Sequence, residues 1–404
     1  MSPAIQPAPT AAKDPVLKDT YRLALIPGDG IGVDVLDQGR RLLEQVADLA
    51  RISWELDEIP AGAQYFLQHG QDWAPGSEQR CADADAILLG AIGWPSGPGR
   101  GTTLRPDGRM AGWSAIVGNR IRLDLYANLR PVRLLPGVVH QVSGRRLQIW
   151  NPEDVDMIFV RENTEGLYSG SGGLLAPGGR GEVATDTRVI TRRSSERVIR
   201  MAFELARKRQ GAPGDGRRRV TAVVKDNILH GCRFFVSILE EVAVDYPEVE
   251  YEVALVDAFS QWLLRRPEHY DVVVSTNMFG DIITEVAAML QGGLGLAVGS
   301  NIGDRHAMFE PIHGSAPRHV GQDRVNPMAT LLAIGQLLDW LGTRHGDSRL
   351  SRAAVSVELA VAQVLCEGKV LTYDLTDSRP AGTTAVTTAV LERLQEQPFL
   401  APVR

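Results

Sequence analysis

Cysteine is scarce in this sequence. Its three copies, Cys81, Cys232 and Cys366, are odd in number and far apart among 404 residues. Such a set builds neither a disulfide framework nor a zinc cluster, so a reducing, cytoplasmic setting is expected. No apolar run is long enough to span a bilayer. Basic charge is not in surplus: 43 Lys and Arg face 49 Asp and Glu, a net charge of −6. That balance argues against a dedicated nucleic-acid or polybasic membrane binder, whose affinity comes from phosphate neutralisation. Residues 1–19 are rich in proline and alanine and lack the apolar centre of a signal peptide, which predicts a disordered tail.

What is present is ordinary for a globular chain, with 44% hydrophobic and 23% charged residues. A core can form without staples, and the length predicts two domains or one large α/β unit. YRLALI reads as a short apolar strand from Tyr21, followed by PGDGIG. A helix follows, with Val35, Leu36, Leu42, Leu43, Val46 and Leu49 at helical spacing. ISWELDE alternates as a strand, and DAILLGAIG, VDMIFV, RVTAVV, EYEVALV and DVVVST read as further strands. SSERVIRMAFELARK, GCRFFVSILEEVA and DIITEVAAML read as helices between them. This rhythm predicts a parallel or mixed sheet covered on both faces. After residue 300 the pattern predicts mostly helix. The glycine-rich stretches Gly97–Gly112 and Ser169–Gly181 read as loops beside candidate site residues.

Several constellations suit chemistry. GDGIG, at a strand end and helix start, offers backbone N–H groups to an anion, although a tight turn explains it as well. Arg120, Arg122, Arg130 and Arg161 sit near strand ends, where open α/β sheets bind ligands. Arginine pairs bidentately with carboxylates, so a converging group suits a di- or tricarboxylate. For any single arginine a solvated face is the commoner reading. Asp281 and Glu285 lie four apart, on one helix face, as hard oxygen ligands for Mg²⁺ or Mn²⁺. Asp257 is a third candidate ligand, and Lys225 and Tyr168 are candidate base and acid. EPIHGSAPRHVGQDRVNP is polar and rich in turn formers, and Arg318 and His319 within it suit a phosphorylated cofactor.

Taken together, IPGDGIG, LDLYANLRP, VRENTEGLYS, KDNIL, VDA, NMFGD, GGLG and EPIHGSAP occur in this order between Ile26 and Asn326. In this the chain resembles the isocitrate and isopropylmalate dehydrogenase family of metal-dependent, decarboxylating β-hydroxyacid dehydrogenases. The resemblance implies an α/β, isopropylmalate dehydrogenase-like fold with a mixed sheet, unlike the Rossmann type. A large, coenzyme-binding domain (20–125 and 292–404) and a smaller middle domain (126–291) for dimerisation and metal are implied. A homodimer with shared active sites is implied as well. Carried over by position, Arg120, Arg130 and Arg161 would bind the malate carboxylates, with Tyr168 as acid and Lys225, from the other subunit, as base. Asp257 of the other subunit, Asp281 and Glu285 would hold the Mg²⁺ or Mn²⁺. The family has Asp where Glu285 stands, and the extra methylene permits bidentate or water-mediated ligation.

The same resemblance implies NAD(P) held by His313, Gly314, Ser315, Ala316, Arg318, His319, Val325, Asn326 and Tyr373. NAD-using relatives carry Asp where this chain has Arg318, which would attract a 2′-phosphate, so NADP is expected ahead of NAD. The family's further arginine after TYD is replaced by Asp377, with Arg379 close by. Ser114, Ile116 and Val117 occupy the positions that set the 3-substituent. Ser114 matches isocitrate users. Ile116 and Val117 resemble the apolar pair of isopropylmalate users, although they would serve equally as helix core. A 3-isopropylmalate-like substrate leads, with isocitrate, homoisocitrate, tartrate and D-malate as alternatives. A non-catalytic regulatory or nucleic-acid-binding homologue is the remote alternative, motivated only by the arginines between Arg188 and Arg219.

Overall fold

The computed structural model describes residues 18–397. Strand β1 (Thr20–Gly28) enters the core through Tyr21, Leu23, Leu25 and Ile26. Helix α1 (Ile31–Ala50) buries Val35, Leu36, Leu42, Leu43 and Val46, the 3.6-residue stripe that the spacing predicted. It stops at Arg51, whose φ of 53° is left-handed. Strand β2 (Ser53–Glu58), short helices α2 (Ala63–His69) and α3 (Ser77–Asp83), and the fully buried β3 (Ala86–Ala91) follow. After α4 (Val117–Arg122) come β4 (Ala127–Arg133), a hairpin of β5 (His140–Val142) and β6 (Arg145–Leu147), and β7 (Asp156–Glu162). A second hairpin pairs β8 (Gly172–Leu175) with β9 (Val183–Asp186).

Regular alternation then resumes. It runs through α5 (Arg192–Lys208), β10 (Arg219–Val224), α6 (His230–Ala243), β11 (Glu250–Leu255), α7 (Val256–Arg265), β12 (Val272–Ser275) and α8 (Asn277–Ala288). The chain returns to the sheet through β13 (Val298–Ile302) and β14 (Ala307–Pro311), then closes with α9 (Met328–His345), α10 (Ser348–Glu367) and α11 (Thr383–Glu396).

Ten strands form one sheet in the order β11-β10-β12-β7-β4-β13-β14-β3-β1-β2. The outer pairs are parallel, whereas β7–β4, β4–β13 and β13–β14 are antiparallel. The sheet is therefore mixed, as expected, and its two halves run in opposite directions about a central antiparallel block. Helices cover the inner parallel strands on both faces, which explains the continuous apolar runs of β3, β10 and β12, while the edge strands β2 and β11 stay partly exposed.

Three expectations need correction. The chain after residue 300 is not helical at once, since β14 supplies a strand beside β3. Its AMFEP sequence is too short and too uniformly buried to show a period of two. The stretch Ser169–Gly181 is not all loop, because β8 lies within it. Of the tail expected over residues 1–19, residues 1–17 lie outside the described residues. Lys18 is tied to Asp85, and the Asp19 carbonyl accepts the Ser53 N–H at 2.7 Å. Among the described residues no helix is long and apolar enough to cross a membrane.

Candidate active site

Sheet register assembles the site. Asn301 on β13, Asn128 on β4 and Arg161 on β7 are direct cross-strand partners. Arg130 lies two residues beyond Asn128 and shares its face of the strand. Asn128 donates to Asn301 Oδ1 (2.8 Å) and accepts from Arg130 Nε (2.7 Å). Asn301 donates to Glu310 Oε1 (3.0 Å), which also accepts from Arg120 Nη2 at 2.8 Å. Arg120, Arg130 and Arg161, on three different elements, are thus joined into one buried polar layer at 8%, 6% and 2% exposure.

Helix α8 supplies the acids. Its Asn277 accepts three bonds from Arg161, from Nε at 3.0 Å on its carbonyl and 3.2 Å on Oδ1, and from Nη2 at 2.7 Å on Oδ1. Gly280 lets the helix ride directly on the arginine, because a Cβ there would stand 2.7 Å from Arg161 Cγ. One turn on, Asp281 Oδ1 accepts from Arg161 Nη1 (2.5 Å) and Arg130 Nη2 (3.2 Å), and Oδ2 accepts from Tyr168 OH (3.0 Å). Thr284 accepts from Arg130 Nη1 at 2.6 Å. Glu285 lies on the same face but only 3.9 Å from Arg130.

The electrostatics follow from burial. Burial alone would raise the Asp281 pKa, but Arg161 and Arg130 outweigh it and hold the carboxyl below its ordinary range. Burial pushes Glu285 up, and Arg130 offsets only part of that. Tyr168 is raised by burial and by the neighbouring Asp281, so it keeps its proton at neutral pH. Arg161 is depressed to about 9 by burial and by the Arg130 charge. Three guanidiniums desolvated together are costly unless an anion joins them.

The acids suit a hard divalent cation, and Glu285 lacks the close counter-charge that such an ion would provide. One chain supplies only two of the expected ligands. Among the described residues no three histidine, cysteine, aspartate or glutamate side chains gather closely enough to hold a metal. Asp257 stands in the first turn of α7, just past the end of β11. Its partner is Lys225 Nζ at 2.7 Å, directly after β10. Neither residue joins the Asp281 cluster within this chain.

The loop 313–319 packs against GDGIG. The anion-binding role considered for GDGIG does not hold, because its donors are spent within the protein. The N–H groups of Asp29, Gly30 and Ile31 go to Ala91 O (2.6 Å), Gln64 Oε1 (3.2 Å) and Ser315 O (2.9 Å), and those of Gly32 and Val33 stay within the turn. Asp29 is fully buried and accepts from the backbones of Ala63, Gln64 and Gly93, each at 2.8 Å. The motif is a clamp that seats the Ser315 loop. Ser315 Oγ bonds Gly93 O, and Ala316 takes a φ of 36°, a strained value for a residue with a side chain. His313 stays neutral, its pKa lowered by burial, and Gly314 beside it is exposed. Arg318 is exposed, and His319 stands 5.7 Å from the Tyr373 ring. Asn326 donates to Asp374 (3.0 Å), beside the buried Val325.

Two further arginine readings change. Arg122 does not join the cluster. It lies over Trp73 and pairs with Glu78 at 2.8 Å. On α5, Arg192, Arg197, Arg200 and Arg207 bind Glu241, Asp124, Asp245 and Glu204 or Glu248, so that face is largely neutralised. Ser114 donates its hydroxyl to the buried Asp72 at 2.8 Å, whereas Ile116 and Val117 are half-buried at the start of α4. Sequence reasoning missed Glu310, Asn128, Asn301, Asn277 and Asp72. The spacing of Asn128 and Arg130 in ANLRP was a usable signal once that segment is read as a strand. The others carry none without their partners.

Comparison with known proteins agrees with this geometry. The family model described as Isocitrate/isopropylmalate dehydrogenase matches residues 22–392. A 3-isopropylmalate dehydrogenase of Thermobifida fusca is 40% identical over 86% of this chain and 92% of its own length. The decarboxylating D-malate dehydrogenase of Escherichia coli is 35% identical over the same shares, 86% and 92%. Among solved structures, isocitrate dehydrogenase from Methylococcus capsulatus superposes with a TM-score of 0.79 at 33% identity, covering 93% of this chain and 99% of that one.

Proposed function

Since this chain belongs to the isocitrate/isopropylmalate dehydrogenase family, we propose that it oxidises and decarboxylates a (2R)-malate with an apolar 3-substituent, 3-isopropylmalate leading. It is an oxidoreductase that acts on a CH–OH donor and decarboxylates it. The observation that carries the reading is the convergence of the buried Arg130 and Arg161 on Asp281, which also accepts from Tyr168, with buried Arg120 in the same polar layer. A ligand bearing two carboxylates would relieve their mutual repulsion.

Arg130 and Arg161 hold the carboxylates, with Arg120 braced by Glu310. When bound, a divalent ion supplies electrophilic stabilisation of oxygen charge and the coenzyme supplies the hydride acceptor. Asp281 and Glu285 would hold that ion together with the partner subunit's Asp257. Lys225 serves the second copy's site and removes the hydroxyl proton. Tyr168, protonated at neutral pH, delivers a proton to the carbon that loses CO₂. In support of a dimer, the Lys225 ammonium bonds only Asp257 among the described residues, and the β8–β9 hairpin exposes Leu174 (68%), Leu175 (63%) and Val183 (51%). In this reading residues 126–291 form the dimerising, metal-binding lobe, and 20–125 with 292–404 form the coenzyme lobe.

Ser114 supports an apolar substituent. Its one hydroxyl proton goes to Asp72, so none is left for a third carboxylate, and Ile116 and Val117 remain to line the pocket. Exposed Arg318 supports NADP. The test is turnover of 3-isopropylmalate, isocitrate, homoisocitrate, D-malate and tartrate with each coenzyme and Mg²⁺. Preference for isocitrate would overturn the substrate reading. Preference for NAD that Arg318→Asp leaves unchanged would overturn the coenzyme reading.

A further inference from the structure

Strand β4 has two faces, and the active site uses one. Asn128 and Arg130 face the substrate arginines, while Pro131 and Arg133 lie by a cavity outside that site. Helix α5 packs beside β7 and β12, and α9 beside β13 and β14. Between these helices lies a cavity of about 130 Å³, walled by Ile158, Leu205, Leu296, Leu332 and Val355. It joins the middle of the chain (β4, β7, α5) to its C-terminal part (α9, α10).

The lining is mixed. Most of its body is aliphatic, with Arg209, Gln336 and Asp339 also on the wall. On the solvent side Arg133 and Glu358 form an ion pair, with side chains 36% and 32% exposed. The Arg133 backbone N–H donates to Gln291 Oε1 at 3.3 Å, which fixes the strand there.

Gly335 supplies an independent observation. It lies within α9 and lines the cavity. Glycine inside a helix costs roughly 0.5–1 kcal/mol relative to alanine. Packing does not require it here, because a Cβ at Gly335 would come no closer than 3.6 Å to Val357 Cγ1. A Cβ there would make only ordinary contact with Val357 and the Ala354 carbonyl on α10, at the cavity wall.

We propose that this cavity is a binding site for an aliphatic α-amino acid. The branched side chain fills the apolar body. The α-carboxylate takes Arg133 and the α-ammonium takes Glu358. A zwitterion replaces both halves of the ion pair at once and leaves neither charge unpaired. Size agrees, because an apolar cavity of about 150 Å³ accepts a benzene-sized group.

The test uses the full chain with L-leucine as probe, followed by calorimetric titration and by melting temperature. Both readouts are independent of turnover, so they stand whether or not the substrate reading holds. L-leucine is expected to bind and raise the melting temperature. Glycine, without a side chain, is expected to do neither. 4-Methylpentanoate, without the ammonium, is expected to bind roughly tenfold more weakly. Gly335→Leu fills the cavity and Arg133→Ala removes the carboxylate partner, and each should abolish the L-leucine response. Gly335→Ala should remain folded, showing that the helix accepts a side chain. If Gly335→Leu does not fold, Arg133→Ala carries the test alone. No L-leucine binding, an equal response to glycine, or binding that survives Arg133→Ala overturns the proposal.

Discussion

Asp281 and Glu285 sit one turn apart on the same helix face, yet the structure assigns them opposite energetic roles in the ligand-free protein. Asp281 touches Arg161 at 2.5 Å, Arg130 at 3.2 Å and Tyr168 at 3.0 Å. Glu285 approaches only Arg130, at 3.9 Å. Removing one partner of a buried ion pair costs about 3–5 kcal/mol, because the surviving charge is stranded. Asp281 keeps 32% side-chain exposure, so solvent screening reduces this to roughly 2–4 kcal/mol for Asp281→Asn. Glu285→Gln removes a carboxyl whose ionised form burial disfavours and whose arginine contact is long. It should change stability by less than about 1 kcal/mol. Urea unfolding of the metal-free protein, followed by tryptophan fluorescence, measures both. Equal losses, or a larger loss for Glu285→Gln, would refute the claim that Asp281 is the counter-ion of the buried arginines. Both substitutions should lower turnover, so activity alone cannot separate them.

Tyr168→Phe should lower kcat by about 10²–10⁴-fold while the melting temperature stays nearly unchanged, because it removes a proton donor and little packing. Gly28→Ala should destabilise by about 3 kcal/mol, since φ is 73° and the new Cβ would meet Ala91 O at 2.1 Å. A stability loss under 1 kcal/mol in urea would contradict that. Asp72 sets a pH dependence. Burial would raise its carboxyl, but bonds from the Gly112 and Ser114 backbones, the Ser114 hydroxyl and Arg105 outweigh this and hold it below 3.8. A depressed folded-state pKa contributes stability above the unfolded value, and this is lost as pH falls through the folded one. The loop around Gly112 should therefore resist proteolysis at pH 5 and yield only in stronger acid, and cleavage already rising at pH 5.5 would disprove it.

Much of the candidate site was legible before any fold was known. Arg120, Arg130, Arg161, Tyr168 and Asp281 stand in motifs whose residue types suit a carboxylate ligand, and the structure brings them together. The supporting groups were not legible. Glu310 is one acid among many in sequence, and becomes Arg120's partner only because β14 folds beside β13 and β3. Asn301 matters only because register sets it opposite Asn128. GDGIG shows the converse, a suggestive motif whose donors the tertiary structure consumes.

The sequence by itself determined which segments are strands and which are helices wherever the apolar period was long, and it determined the chemistry available to a ligand. These depend on local sterics and on side-chain type, which neighbours in the chain carry with them. Only the tertiary structure decided which charges face each other, which are neutralised and where space remains. Those depend on strand order, register and desolvation, and contacts between residues more than a hundred positions apart leave no mark on either segment alone.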